Sequence, residues 1–147
     1  MSHVKFEQRI SLITLAASDL ERAAGFYEAL GWQRVPSPDG VIAFDLIGQT
    51  LGLYDRAALA DDLGVPAESV GGFSGITLSH NVRSEADVAP LLTRAEEAGG
   101  RILRPAGEVF WGGFIGYFAD LDGHIWEVAH NPFSKLSPKG EFRWEGY

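Results

Sequence analysis

The sequence predicts an α+β fold in which one domain contains two βαβββ modules. Two amphipathic helical segments match each other position for position, and each is followed by three short strand-like runs. Gly48 and Gly123 also occupy corresponding hairpin turns in the two halves. We therefore divide residues 1–147 into module one at about 8–55, a linker at about 56–74, module two at about 75–132 and a tail at 133–147.

The first module begins with a strand-like run, ISLITLAA, and then a helical segment, DLERAAGFYEALG. Ser18 and Glu21 fit a capping box at the start of this helix, and Gly31 suits its C-terminal end. The runs WQRV, GVIAFDLIG and QTLGLYD predict three strands after it. The apolar residues of the helix recur at helical spacing and form one face: Leu20, Ala23, Ala24, Tyr27 and Leu30.

The second module repeats this order. The run GITLSHNV predicts a strand, DVAPLLTRAEEAGG a helix, and GRILRP, GGFIGYFAD and HIWEVAH three further strands. We expect Leu91 and Leu92 to be buried under the sheet, as Leu20 and Tyr27 are expected to be in the first module. The linker sequence indicates one short helix followed by a glycine-rich segment. We expect the tail to be irregular, with one edge strand near EFRW.

The composition excludes several classes of function. The chain has no cysteine, so disulfides, thiolate nucleophiles and cysteine-ligated zinc are excluded. A net charge of −8 with scattered lysines and arginines argues against nucleic-acid binding. No apolar run approaches the ~20 residues of a membrane span, and no signal peptide is recognisable, so we expect a cytoplasmic protein that does not bind membranes.

Glu127 is a lone acid between apolar neighbours in YFADLDGHIWEVAH, a stretch that contains an Asp-Gly turn. This motif and SDLERAAGFYEALGW lie at the expected places in the two modules. On these motifs the chain resembles the vicinal oxygen chelate superfamily, which includes glyoxalases, bleomycin-resistance proteins and extradiol dioxygenases. The resemblance covers roughly residues 8–132, and it implies a curved mixed sheet around a cleft.

The resemblance also implies four positions where enzymes of this superfamily hold one divalent metal. One of them falls on Glu127, but the others fall on Leu12, on Gly52 and on either Thr77 or His80. Leucine and glycine offer no ligand, and one carboxylate does not outcompete water for a divalent ion. We therefore predict no metal or other cofactor; if a metal does bind, Glu127 and His80 are its candidate ligands.

The remaining candidate site residues are polar strand residues and large aromatic residues. Strand side chains alternate between faces, so Thr77 and His80 do not both face the cleft. We favour Thr77 because it continues a polar face, and large aromatics beside Gly112 and Gly113 suit a wall for a planar ligand. The predicted ligand-binding residues are Tyr54, Thr77, Ser79, Asn81, Phe110, Trp111 and Glu127.

Three functional hypotheses follow. The first is a protein of the bleomycin-resistance type that binds a small organic molecule in an aromatic cleft, with Glu127 contacting a donor or a cationic group. The second is a lyase, isomerase or dioxygenase of the same superfamily that uses Glu127 as its catalytic base or as a metal ligand. The third is a domain that associates with another protein. We also expect a homodimer, from the surplus of aromatic residues and from the resemblance.

Overall fold

A computed structural model describes residues 4–146. Its elements follow the order that the sequence predicts, with a second helix in the linker. No helix among these residues is long and apolar enough to cross a bilayer. Module one and the linker contain β1 (Leu12–Ala17), α1 (Leu20–Ala29), β2 (Val41–Asp45), β3 (Thr50–Asp55) and α2 (Arg56–Leu63). Module two contains β4 (Thr77–Asn81), α3 (Val88–Glu97), β5 (Arg101–Glu108), β6 (Phe114–Ala119) and β7 (Ile125–His130).

The strands form two mixed sheets with matching topology. One sheet has the order β1-β3-β2, and the other has the order β4-β7-β6-β5. The first strand of each module pairs in parallel with the last, so Thr14 lies opposite Gly52 just as Ser79 lies opposite Glu127. The predicted α+β fold of two related modules is confirmed, and the strands divide between two sheets.

Two predicted strands are wrong. In WQRV only Val35 makes a β-bridge, to Ala43. Pro36 and Pro38 follow it and have no N–H to extend a ladder, while the ring of Trp32 stacks on Tyr27 instead. The segment EFRW is likewise irregular, because the tail folds back on itself.

Both helices bury the faces that their sequences predict. Tyr27 and Leu92 are buried, whereas Leu20 and Leu91 are half-buried and pack against the same core. The helix α1 begins at Asp19, whose side chain accepts a hydrogen bond from the Arg22 N–H, so Asp19 rather than Ser18 is the capping residue.

A polar network joins the two modules. The Tyr27 hydroxyl donates to Asp120 Oδ2 at 2.5 Å and accepts from Trp126 Nε1 at 3.1 Å. The other carboxylate oxygen of Asp120 accepts from the backbone N–H groups of Asp122 and His124. Burial, reinforced by the Asp120 charge, raises the pKa of Tyr27 well above its ordinary value, so the phenol remains protonated. The Asp-Gly turn is thereby attached to the helix of module one.

Candidate functional site

Three side chains lie in a row across the second sheet. The strands β4, β7 and β6 are neighbours, and their register aligns Ser79, Glu127 and Tyr117. Ser79 Oγ donates to Glu127 Oε1 at 2.8 Å, and Tyr117 Oη donates to Glu127 Oε2 at 2.9 Å. Each oxygen of the carboxylate is thus held by one hydroxyl group.

This arrangement leaves Glu127 able to bind a further donor. An ionised carboxylate has about four acceptor positions, of which the two hydroxyls occupy two. Partial burial raises the pKa of Tyr117, and the hydrogen bond to Glu127 raises it further, so the phenol stays a donor at neutral pH. The Glu127 side chain is half-buried and lines an open cleft.

The cleft has a volume of ≈ 1130 Å³ and a largely apolar wall that includes several aromatic side chains. The two acids that line it are Asp45 and Glu127, and no lysine or arginine lines it within residues 4–146. The surface that a bound molecule meets is therefore aromatic and acidic. All four tryptophans of the sequence lie along the cleft, but Trp126 is buried in the core, so the accessible indoles are those of Trp32, Trp111 and Trp144.

A tight glycine turn fixes the position of Trp111. The indole lies over Gly113, where an added Cβ would sit only 2.0 Å from an atom of the ring. Gly112 has a φ of +96°, a conformation that side-chain-bearing residues rarely adopt. The Gly112 N–H donates to the Val109 carbonyl, and the Val109 N–H donates to the Gly113 carbonyl. The glycine pair thus allows an aromatic ring to fold flat against the backbone.

Only some of the predicted ligand-binding residues line this cleft: Ser79, Asn81, Trp111 and Glu127 do so. Phe110 is 97% exposed beside the glycine turn and is not part of the cleft lining. The Tyr54 hydroxyl donates instead to Asp62 Oδ2 on α2, at 2.9 Å. Thr77 lies at the exposed start of β4, outside the lining.

His80 belongs to the opposite face of the sheet. It pairs with Val128, the position next to Glu127, and successive strand residues face opposite ways. It lies where the cleft meets a smaller apolar cavity of ≈ 100 Å³, beside Trp126. Partial desolvation lowers its pKa, although the residue as a whole remains exposed. This register does not favour a metal site made of His80 and Glu127.

The residues present do not fit the divalent ion that the resemblance implies. Leu12 is apolar, Gly52 has no side chain, and Glu127 is already held by two uncharged hydroxyl groups. Within residues 4–146 no three His, Asp or Glu side chains lie close enough together to hold a metal ion.

Sequence reasoning missed most of the residues that line the cleft. Most of the missed residues come from module one and from the tail, which meet module two only in the folded chain. The glycine-flanked Trp111 carried a local signal, whereas these residues carried none beyond their aromatic or apolar character. The missed residues include Trp32, Phe44, Asp45, Ile47, Trp126, Leu136, Phe142 and Trp144.

Comparison with known proteins settles the family. Residues 9–128 match the model of the glyoxalase/bleomycin resistance protein/dioxygenase superfamily. The chain belongs to this superfamily. No curated protein is significantly similar to it.

Solved structures agree with this assignment. A glyoxalase-related enzyme from Fulvimarina pelagi is 40% identical with a TM-score of 0.87, and the match covers 95% of this chain and 100% of that one. A superfamily member from Burkholderia phytofirmans is 17% identical with a TM-score of 0.73, covering 83% and 98% of the two chains. A lactoylglutathione lyase from Agrobacterium tumefaciens is 23% identical with a TM-score of 0.64, covering 86% and 96%. The last two matches show a shared fold alone.

Proposed function

We propose that this superfamily member binds a small aromatic molecule, neutral or cationic, and that Glu127 accepts a hydrogen bond from it. The observation that carries the proposal is the Ser79–Glu127–Tyr117 row. Two hydroxyls hold a half-buried carboxylate in one orientation where it lines an open cleft. A carboxylate held in place loses little conformational entropy when a ligand donates to it.

The walls of the cleft support the same class of ligand. Indole faces attract cations and stack on planar rings, and the indoles of Trp32, Trp111 and Trp144 line the cleft without being fully buried. Asp45 and Glu127 provide negative charge that no lining lysine or arginine offsets within the described residues. An anionic ligand would meet repulsion and gain no ion pair.

A second candidate is an enzyme, a lyase, isomerase or dioxygenase, in which Glu127 acts as a base. The 40% identical relative is described as a glyoxalase-related enzyme, which favours catalysis. Here Glu127 would accept a proton from the substrate while Tyr117 and Ser79 hold the carboxylate. Incubation in D₂O with small molecules that co-purify with the protein tests this. If a carbon-bound proton of the molecule exchanges with solvent and Glu127→Gln abolishes this exchange, the result supports the enzyme hypothesis. An absence of exchange supports simple binding.

Calorimetric titration tests the binding proposal. The probes are ethidium, a planar aromatic cation, and anilinonaphthalene sulfonate, a planar aromatic anion. We expect ethidium to bind more tightly, and Glu127→Gln to weaken it by roughly 10- to 100-fold, the loss expected for one hydrogen bond to a charged group. Glu97→Gln on the exposed face of α3 removes the same charge outside the cleft and is the control. Tighter binding of the anion, or equal losses in both variants, would overturn the proposal.

We further propose that the protein is a homodimer and that it is cytoplasmic. Large apolar side chains remain exposed on and beside the first strand of each module: Leu12 at 54%, Phe73 at 67% and Ile76 at 65%. Exposed apolar groups of this size are typical of association surfaces when they lie together. The cytoplasmic location stays a prediction from the sequence.

A further inference from the structure

The C-terminal segment 131–146, which we name the C-terminal loop, lies beyond the residues that match the family model. It is closed on itself by two buried polar side chains. The Gly146 carbonyl accepts from Asn131 Nδ2 at 3.1 Å and from Ser134 Oγ at 2.8 Å. The Glu145 N–H in turn donates to Ser134 Oγ at 2.7 Å. Ser134 is 1% exposed and Asn131 is 7% exposed, so the two ends of the loop are firmly joined.

The tip of the loop reaches module one. The segment from Ser137 to Glu141 is a tight turn, held by the Ser137 N–H donating to the Glu141 carbonyl at 2.9 Å. Gly140 in this turn has a φ of +93°, and an added Cβ there would lie 3.0 Å from Ile47 Cδ1 in the hairpin between β2 and β3. The loop therefore extends from the end of β7 to the other module.

The loop places apolar side chains in the cleft that contains Glu127. Leu136, Phe142 and Trp144 all line it, yet Phe142 is 41% exposed and Trp144 is 66% exposed. Large aromatic side chains that remain solvent-exposed within a cleft offer surface to a ligand rather than to the core. The carboxylate lies on the sheet, and these aromatics lie on the loop.

We propose that the C-terminal loop is the specificity-determining wall of the cleft, and that Trp144 and Phe142 contact the ring system of the bound aromatic molecule. This inference rests on the proposed function. Glu127 binds the donor or cationic group, and the loop selects the size and shape of the apolar part. Ligand selectivity thus depends on a segment outside the matched family region.

Two cationic probes that both carry N–H donors but differ in ring size test this inference: ethidium and the single-ring benzamidinium. We expect Trp144→Ala to weaken ethidium binding roughly tenfold, the loss of an aromatic contact, and to affect the small cation less. Trp144→Phe, which keeps an aromatic face, should recover most of the affinity. Glu127→Gln should weaken both probes alike.

A second variant displaces the loop without removing any ligand contact. In Gly140→Ala the new Cβ meets Ile47 and the turn is strained, so the tip moves and ethidium affinity should fall. Gly64→Ala is the matched control, because Gly64 also has a positive φ, +74°, but nothing lies within 4 Å of an added Cβ. If ethidium binding depends on Glu127 but is unchanged in Trp144→Ala and in Gly140→Ala, the inference fails and the proposed function stands. If neither probe binds the wild-type protein, both fail.

Discussion

The Tyr27 hydroxyl is the group whose removal should weaken the junction between the modules most selectively. Tyr27→Phe keeps the ring that stacks on Trp32, with centroids 5.3 Å apart and planes at 16°, and removes only the oxygen. That oxygen makes two hydrogen bonds, one to the buried Asp120 carboxylate and one from Trp126 Nε1. Both partner atoms would be left unpaired in a buried environment.

The expected loss of unfolding free energy follows from those two orphaned groups. Each buried polar group left without its partner costs about 1–3 kcal/mol, and more if it is charged. Asp120 keeps the backbone donors on its other oxygen, which limits its share. We therefore expect Tyr27→Phe to lower the free energy of unfolding by about 2–5 kcal/mol.

Urea unfolding followed by circular dichroism measures this loss, with an unchanged m-value showing that the same surface is exposed. Tyr54→Phe is the matched control, because its hydroxyl also donates to an aspartate, Asp62, but at the protein surface. We expect the control to lose much less stability than Tyr27→Phe. Equal losses in the two variants would refute the reasoning, because they would show that burial of the Tyr27–Asp120 pair adds nothing.

Three further predictions concern packing, pH and assembly. In Gly116→Ala the new Cβ would lie 2.3 Å from Leu92 Cδ1 and 2.9 Å from the Arg104 carbonyl, so thermal unfolding should show a severe loss of stability. Gly107→Ala is the control and should keep its stability, because nothing lies within 4 Å of an added Cβ there. Desolvation lowers the pKa of His80 in the folded protein below the ordinary 6.5, so protonation favours the unfolded state. The free energy of unfolding should therefore fall as the pH drops below about 6.5. In urea titrations His80→Gln should lose less of this free energy between about pH 7 and pH 5 than the wild-type protein does. An equal pH dependence in both proteins would contradict this. Light scattering should report a dimer at micromolar concentration, and a monomer would end the homodimer prediction.

The fold was largely predictable because its signals are local. Helical spacing around Tyr27 and Leu92 and the glycines of the hairpins act over a few residues. The prediction of a strand at WQRV was wrong because tertiary contacts determine the conformation of this segment. Trp32 packs on Tyr27 of the preceding helix and on Trp126 of the other module, and no local pattern encodes that contact.

For the candidate site, Glu127 could be predicted from the sequence, whereas fewer of the residues around it could. Glu127 stood out because a lone carboxylate among apolar strand residues needs a partner. Ser79 followed from strand alternation, whereas Tyr117 as the second donor required the register of β6 against β7. The position of Phe142 and Trp144 in the cleft could not be predicted from the sequence, because the hydrogen bonds that close the C-terminal loop form only in the folded chain.

The central claim is that Glu127 binds the polar group of an aromatic ligand in this cleft. A crystal structure of the protein grown with ethidium tests it most directly. We expect ethidium to bind in the cleft, with one amino group donating to a Glu127 oxygen and its rings against the tryptophans that line the cleft. Ethidium bound away from Glu127, or a divalent ion coordinated by Glu127 in metal-supplemented crystals, would contradict the claim.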